Sequence, residues 1–241
     1  MRVMLLALLV VGLTQAAACP EAATAALRQS VVLARSFDLP GAAERLEQPA
    51  LRGCVQVRMA ALYLRALQRA RDAYRTGGDA GSLQPVTLAI ATLEQQAATG
   101  DQHAELARVI LMAAAAAAQS ERGDMALLLD HAMALERRMV RAGDGGAPGV
   151  TAHEAAGDLW LQVHRFEAAV AAYVAAAELF GNTPRITLGL ARTAVQMKQR
   201  EPACRAYRTL VIDWTGSSSV AEIVEARAFV ADHCMAAREN K

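Results

Sequence analysis

Apolar and polar positions divide the chain into one unbroken apolar run and a succession of helical periods. Val3 to Leu13 is apolar at nearly every position, but a run of eleven falls short of the roughly 18 residues a bilayer span requires. Beyond it, apolar side chains recur three and four apart, the spacing of one helix face, with turn residues between the blocks. Helices are predicted over 20–36, 53–75 and 83–98, with breaks at Asp38-Leu39-Pro40-Gly41, at 77–82 and at Gly100. A last helix is predicted over 217–238. Its leading serines can cap an N-terminus, and Val220, Ile223, Val224, Ala228 and Ala231 share one face. No segment reads as a strand, so the expected fold class is all-α.

Composition sharpens this picture. Hydrophobic residues make up 54% but aromatic ones only 4%, so the core must come from Ala, Leu, Val and Met, which suits closely packed helices. The run Ala113 to Ala118 is read as a surface for tight helix packing. With 25 basic and 24 acidic residues, the chain is not built to neutralise a phosphate backbone, and nucleic acid is not an expected partner.

The N-terminus and the cysteines address location. Arg2 precedes the apolar run, and Ala16 and Ala18 follow it as the small residues a signal peptidase selects. Residues 1–18 are therefore read as a signal peptide and the mature chain as exported, periplasmic or secreted. Cleavage removes one Arg and no acid, leaving a formally neutral chain. Of the three pairings open to four cysteines, the simplest joins nearest neighbours, Cys19 with Cys54 and Cys204 with Cys234, as an oxidising compartment permits. An alternative is that Ala16-Ala17-Ala18-Cys19 loosely resembles the lipobox of bacterial lipoproteins, with Cys19 as a lipid anchor. Ala16 stands where that motif usually has a bulky aliphatic residue, and acylation would leave Cys54 unpaired.

A repeat organises the second half. Glu167, Ala169, Ala172 and Tyr173 recur as Glu201, Ala203, Ala206 and Tyr207, each 34 residues on, and Ala156-Gly157 is answered by Leu190-Ala191. These residues resemble the tetratricopeptide repeat, whose unit has 34 residues, small side chains at the helix crossing and an aromatic between units. Trp160 holds the aromatic place of one first helix, Ala194 that of the next. Gly181 replaces the usual proline between units, with Pro184 three residues later. Upstream, Gly123-Asp124-Met125-Ala126 looks like the family's inter-helix turn, offset by seven further residues, 143–149, read as an exposed loop. The resemblance implies a right-handed α-solenoid of antiparallel helix pairs, because two-helix units bury their apolar faces only against neighbours. Its expected parts are degenerate N-terminal hairpins over 19–106, repeats over 107–216, and a capping helix and tail over 217–241.

No catalytic motif is present. His153-Glu154 opens like a zinc-protease helix, but Gly157 stands where the second His is needed. His153 and His164, placed on one predicted helix, would lie about 16 Å apart at ~1.5 Å per residue, too far to share an ion. No Gly-x-Ser-x-Gly elbow or Cys-x-x-Cys pair occurs, so no catalytic residue, metal or cofactor is expected. Glu136-Arg137-Arg138 is read as a solvated helix face. The resemblance implies a concave binding surface on the first helix of each unit. In the 34-residue register that surface carries Glu154, Asp158 and Gln162, then Leu188, Arg192 and Gln196. The expected partner is another protein or peptide, and the expected role a non-catalytic interaction module of a bacterial periplasm or cell envelope. The alternatives are a lipid-anchored outer-membrane assembly factor and an enzyme subunit with an unrecognised active site.

Overall fold

The computed structural model describes Cys19, residues 21–147 and residues 149–234; the proposed signal peptide over 1–18 lies outside the described residues. Among these, the regular elements are eleven α-helices and a single 3-10 turn at Pro49–Leu51. The helices are α1 (Glu21–Arg35), α2 (Leu39–Leu46), α3 (Val55–Thr76), α4 (Ala80–Ala97), α5 (Gln102–Ala118) and α6 (Arg122–Arg141). They continue with α7 (Ala152–Gln162), α8 (Phe166–Phe180), α9 (Pro184–Gln196), α10 (Arg200–Asp213) and α11 (Ala221–His233).

One turn joins most of the pairs. Phe37, Ser120, His164 and Lys198 take left-handed backbone angles, with φ of 72, 64, 61 and 58°. The amide of the next residue then returns to a carbonyl five positions back: Asp38 to Leu33, Glu121 to Ala116, Arg165 to Trp160 and Gln199 to Ala194, at 2.8–3.0 Å. This six-to-one bond satisfies a carbonyl the helix end would leave unpaired. Each amide donor is also the N-cap residue of the following helix, so one tight reversal ends α1, α5, α7 and α9 and starts their partners. Between α3 and α4, Gly77 at φ 96° and a bond from Gly78 N to Ala73 O do the same.

Each helix packs on the next in the chain, and the odd-numbered helices from α1 to α9 also pack on one another in order. The centre of this array is α5, with eleven of its 17 residues buried, eight of them alanines or valine. A helix buried nearly all round touches neighbours on several sides, here α3, α4, α6 and α7. Two loops far apart in sequence also meet. Phe37, in the α1–α2 turn, packs on Trp214 after α10 with ring centroids 5.6 Å apart. Cys19–Cys54 ties the segment before α1 to the start of α3, and Cys204–Cys234 ties α10 to the end of α11.

Four sequence expectations are corrected. The break at residues 38–41 begins a helix, α2: Asp38 accepts from Gly41 N at 2.8 Å, and Pro40 lies in the first turn, where its missing N–H costs nothing. Residues 143–149 are not simply an exposed loop, since Ala147 and Gly149 are buried, as is the adjacent Val150, whose carbonyl accepts the Tyr63 hydroxyl at 2.8 Å. Gly149, at φ 87°, sits against Leu64 and Ala34, leaving no room for a side chain. Glu136 is fully buried rather than solvated. In α11 the cap is Val220, without a side-chain bond, and the buried residues are Ile223 and Ala226, while Val224 is 53% exposed. The stripe was misplaced because α11 rests only on the preceding units and buries a narrow edge.

Candidate functional site

The site is organised by α7. Thr151 and Glu154 form a capping box at its start, with Thr151 Oγ1 accepting from Glu154 N at 3.2 Å and Glu154 Oε2 from Thr151 N at 3.0 Å. The other Glu154 oxygen accepts from Thr183 Oγ1, the cap of α9, at 3.1 Å. Glu154, expected on the binding surface, is instead buried and locks the starts of α7 and α9 together. Glu136 supports the same end, accepting from Ala152 N at 2.8 Å and His153 N at 3.1 Å. Arg137 Nη1 lies 3.2 Å from His153 Nε2. A guanidinium only donates, so Nε2 accepts and Nδ1 carries the proton that bonds Glu136 Oε2 at 2.6 Å.

One turn further, Asp158 faces a cavity of about 510 Å³ whose wall comes from the α1–α2 turn, α2, α3, α7, α8, α9 and α11. Tyr173 reaches it from α8 by passing between two glycines. A Cβ at Gly157 of α7 or Gly189 of α9 would collide with its ring, so the helices close on the aromatic only because both positions lack side chains. The Tyr173 hydroxyl donates to Asp158 Oδ1 at 2.6 Å, and Asp158 Oδ2 accepts from Arg185 Nη2 at 2.7 Å and from Arg71 Nη2. Arg71 belongs to α3, where Tyr74 also donates to the Gln162 carbonyl at the end of α7, 2.6 Å away.

These contacts set the electrostatics. Burial acts to raise the Asp158 pKa, but Arg71, Arg185 and the Tyr173 hydrogen bond outweigh it and hold the carboxyl below its ordinary range. Burial, with the Arg185 charge alongside, lowers the Arg71 pKa against the pull of Asp158. The Tyr173 phenol is pushed well up by burial and by the Asp158 charge it faces, so it remains a donor.

A second cavity of about 380 Å³ adjoins the first and shares Leu161, Gln162 and Arg192 with it. Here the Tyr207 hydroxyl donates to Glu225 Oε1 at 2.6 Å, and Arg192 Nη2 to Glu225 Oε2 at 2.5 Å. Burial raises the Glu225 pKa less than the hydrogen bonds from Arg192 and Tyr207 lower it. Of the residues expected on the binding surface, Asp158 and Leu188 line the first cavity, Gln162 and Arg192 both, and Gln196 the second. Arg71, Arg185 and Tyr74 were not singled out from sequence. Among the described residues no three His, Cys, Asp or Glu side chains converge as metal ligands, and no helix is long and apolar enough to cross a membrane.

Compared with known proteins, the chain matches no family model, no curated protein and no solved structure.

Proposed function

We propose that this protein is a non-catalytic interaction module, exported to a bacterial periplasm or cell envelope, whose helix pairs form a right-handed tetratricopeptide-like superhelix. The observation that carries the reading is the shared lining of the two adjoining cavities. Side chains of α3, α7, α9 and α11, far apart in sequence, meet along one surface that holds both ion networks and apolar walls. Such a surface, polar where it orients and apolar where it buries, suits a segment of a partner polypeptide. Two disulfides and the absence of a membrane-crossing helix among the described residues fit export. With the Cys19 sulfur engaged by Cys54, the disulfide-bonded form is favoured over a lipid anchor.

The test is capture of partners from native envelope extracts by the mature protein, with co-purified proteins identified. A discrete set of partners, lost when Arg192→Ala and Gln196→Ala alter the surface together, supports the module. Unchanged capture by that variant removes this surface from the reading. Intact mass of the exported protein tests location: an acyl mass on Cys19 overturns the disulfide-bonded form.

A further inference from the structure

The charges of the first cavity do not balance where they are most enclosed. Arg192 has Glu225 and also feels the charge of Glu222, the other carboxylate in the cavity lining, and Arg75 has Asp72 at 3.6 Å. Arg71 and Arg185 have only Asp158 between them, and both converge on one of its oxygens while Tyr173 takes the other. Two guanidiniums, 15% and 10% exposed, thus share one carboxylate. A surplus positive charge so poorly hydrated is costly unless an anion joins it.

A second observation points the same way. Arg185 Nε is buried without a hydrogen-bond partner, and Arg185 lines this cavity. Buried polar groups are nearly always satisfied, so an orphaned donor beside an uncompensated guanidinium pair marks a place shaped for an acceptor. The lining also includes Phe37, Leu39, Leu161 and Leu188 beside the polar Gln68 and Gln162, and the volume of about 510 Å³ lies within the range of small-ligand sites.

We propose that the Arg71–Arg185 corner binds a carboxylate carried on an apolar body, the anionic group taking up the charge Asp158 leaves over and the body resting on the leucines and Phe37. Guanidinium groups match carboxylates in plane and in donor spacing. The group can come from a free small acid or from an acidic side chain of a bound polypeptide. Only the second source rests on the interaction-module reading.

Calorimetric titration of the mature protein tests this with 3-phenylpropionate and with the blocked dipeptide N-acetyl-Phe-Glu-amide, each beside its neutral amide counterpart. At least one acid is expected to bind roughly 10-fold or more tightly than its amide, and the acid that does so identifies the source. Arg71→Gln should weaken that binding roughly 10- to 100-fold. Asp158→Asn should strengthen it, because it removes the internal competitor for the two arginines. Circular dichroism establishes that both variants are folded, and Arg185→Gln replaces Arg71→Gln should the latter fail to fold. Equal binding of acids and amides, or none, overturns the proposal. So does weakening by Asp158→Asn to the same degree as by Arg71→Gln, the outcome expected of purely structural residues. No preference for either acid by the unsubstituted protein, with envelope capture intact, overturns this inference alone and leaves the module standing.

Discussion

Tyr173 and Tyr207 occupy the same place in successive units, 34 residues apart, yet they donate in opposite directions along the chain. Tyr173 reaches back to Asp158 on the helix before its own, while Tyr207 reaches forward to Glu225 on the helix after it. The difference begins with two small residues. Gly157 and Gly189 let the Tyr173 ring pass between α7 and α9, whereas the residues 34 further on are Ala191 and Ile223. Tyr207 packs instead on Phe229, ring centroids 4.6 Å apart. The charge state follows. The first network holds two guanidiniums for one carboxylate in a largely enclosed position, and the second a single pair, 44% and 36% exposed. A repeat thus conserves backbone and aromatic while the residues around them decide whether the site is charged and enclosed or neutral and open.

The largest expected effect separates the two networks outright. Replacing Cys204 and Cys234 with Ser opens a loop of 30 residues, worth about 3–4 kcal/mol in the chain-entropy model. The loss should fall on α11 and its Glu225. Hydrogen exchange should show α11 and the end of α10 unprotected while α7 and α8 keep their protection; uniform loss along the chain would contradict independent networks.

Gly157→Ala or Gly189→Ala forces a methyl group into the Tyr173 ring and should cost about 1–3 kcal/mol by overpacking. Ala191→Gly, at the equivalent place in the next unit, should cost only the ~1 kcal/mol helix penalty of glycine. Urea midpoints of the three variants measure the contrast, and equal costs would mean that the Tyr173 passage imposes no special constraint.

Asp158→Asn leaves two enclosed arginines without a counter-charge and should destabilise by about 2–3 kcal/mol. Glu225→Gln removes half of an exposed pair and should change stability by under ~1 kcal/mol. A Glu225 effect matching that of Asp158 would erase the distinction drawn from exposure.

The smallest effect concerns pH. Asp158 and Glu225 both titrate below their ordinary values in the fold. Each therefore stabilises the protein fully only above its unfolded-chain pKa, about 3.9 for Asp and about 4.3 for Glu, and loses that contribution as pH falls through the folded value. Between about pH 5 and 3, Asp158→Asn should flatten the decline in urea midpoint more than Glu225→Gln does. Identical flattening would show that the more enclosed network has no greater linkage to protons.

Much of the scaffold was legible because its signals are local. The 34-residue period and the nearest-neighbour cysteine pairing are carried by residues close along the chain, and each has a counterpart in the structure, whereas His164, expected on one helix with His153, lies in the turn after α7. Helix α2 escaped because a proline near a helix start looks, in sequence, like a break. Glu154 was misplaced because a position facing the inner surface by register also serves as N3 of its helix, and the capping box claimed its carboxylate. Arg71 gave no signal at all. It is one of five arginines on α3, and nothing in their spacing distinguishes the one that meets Asp158 from Arg65, which pairs with Glu47 in solvent.

By itself, then, the sequence determined which stretches coil, where they reverse and which cysteines lie near enough to pair, because helix periodicity and turn chemistry act over a few residues. Tertiary structure alone decided which charges share an enclosed space. Arg71 and Asp158 are 87 residues apart, and their meeting depends on how sharply the intervening helices stack around α5, a sum of many side-chain fits that no single segment encodes.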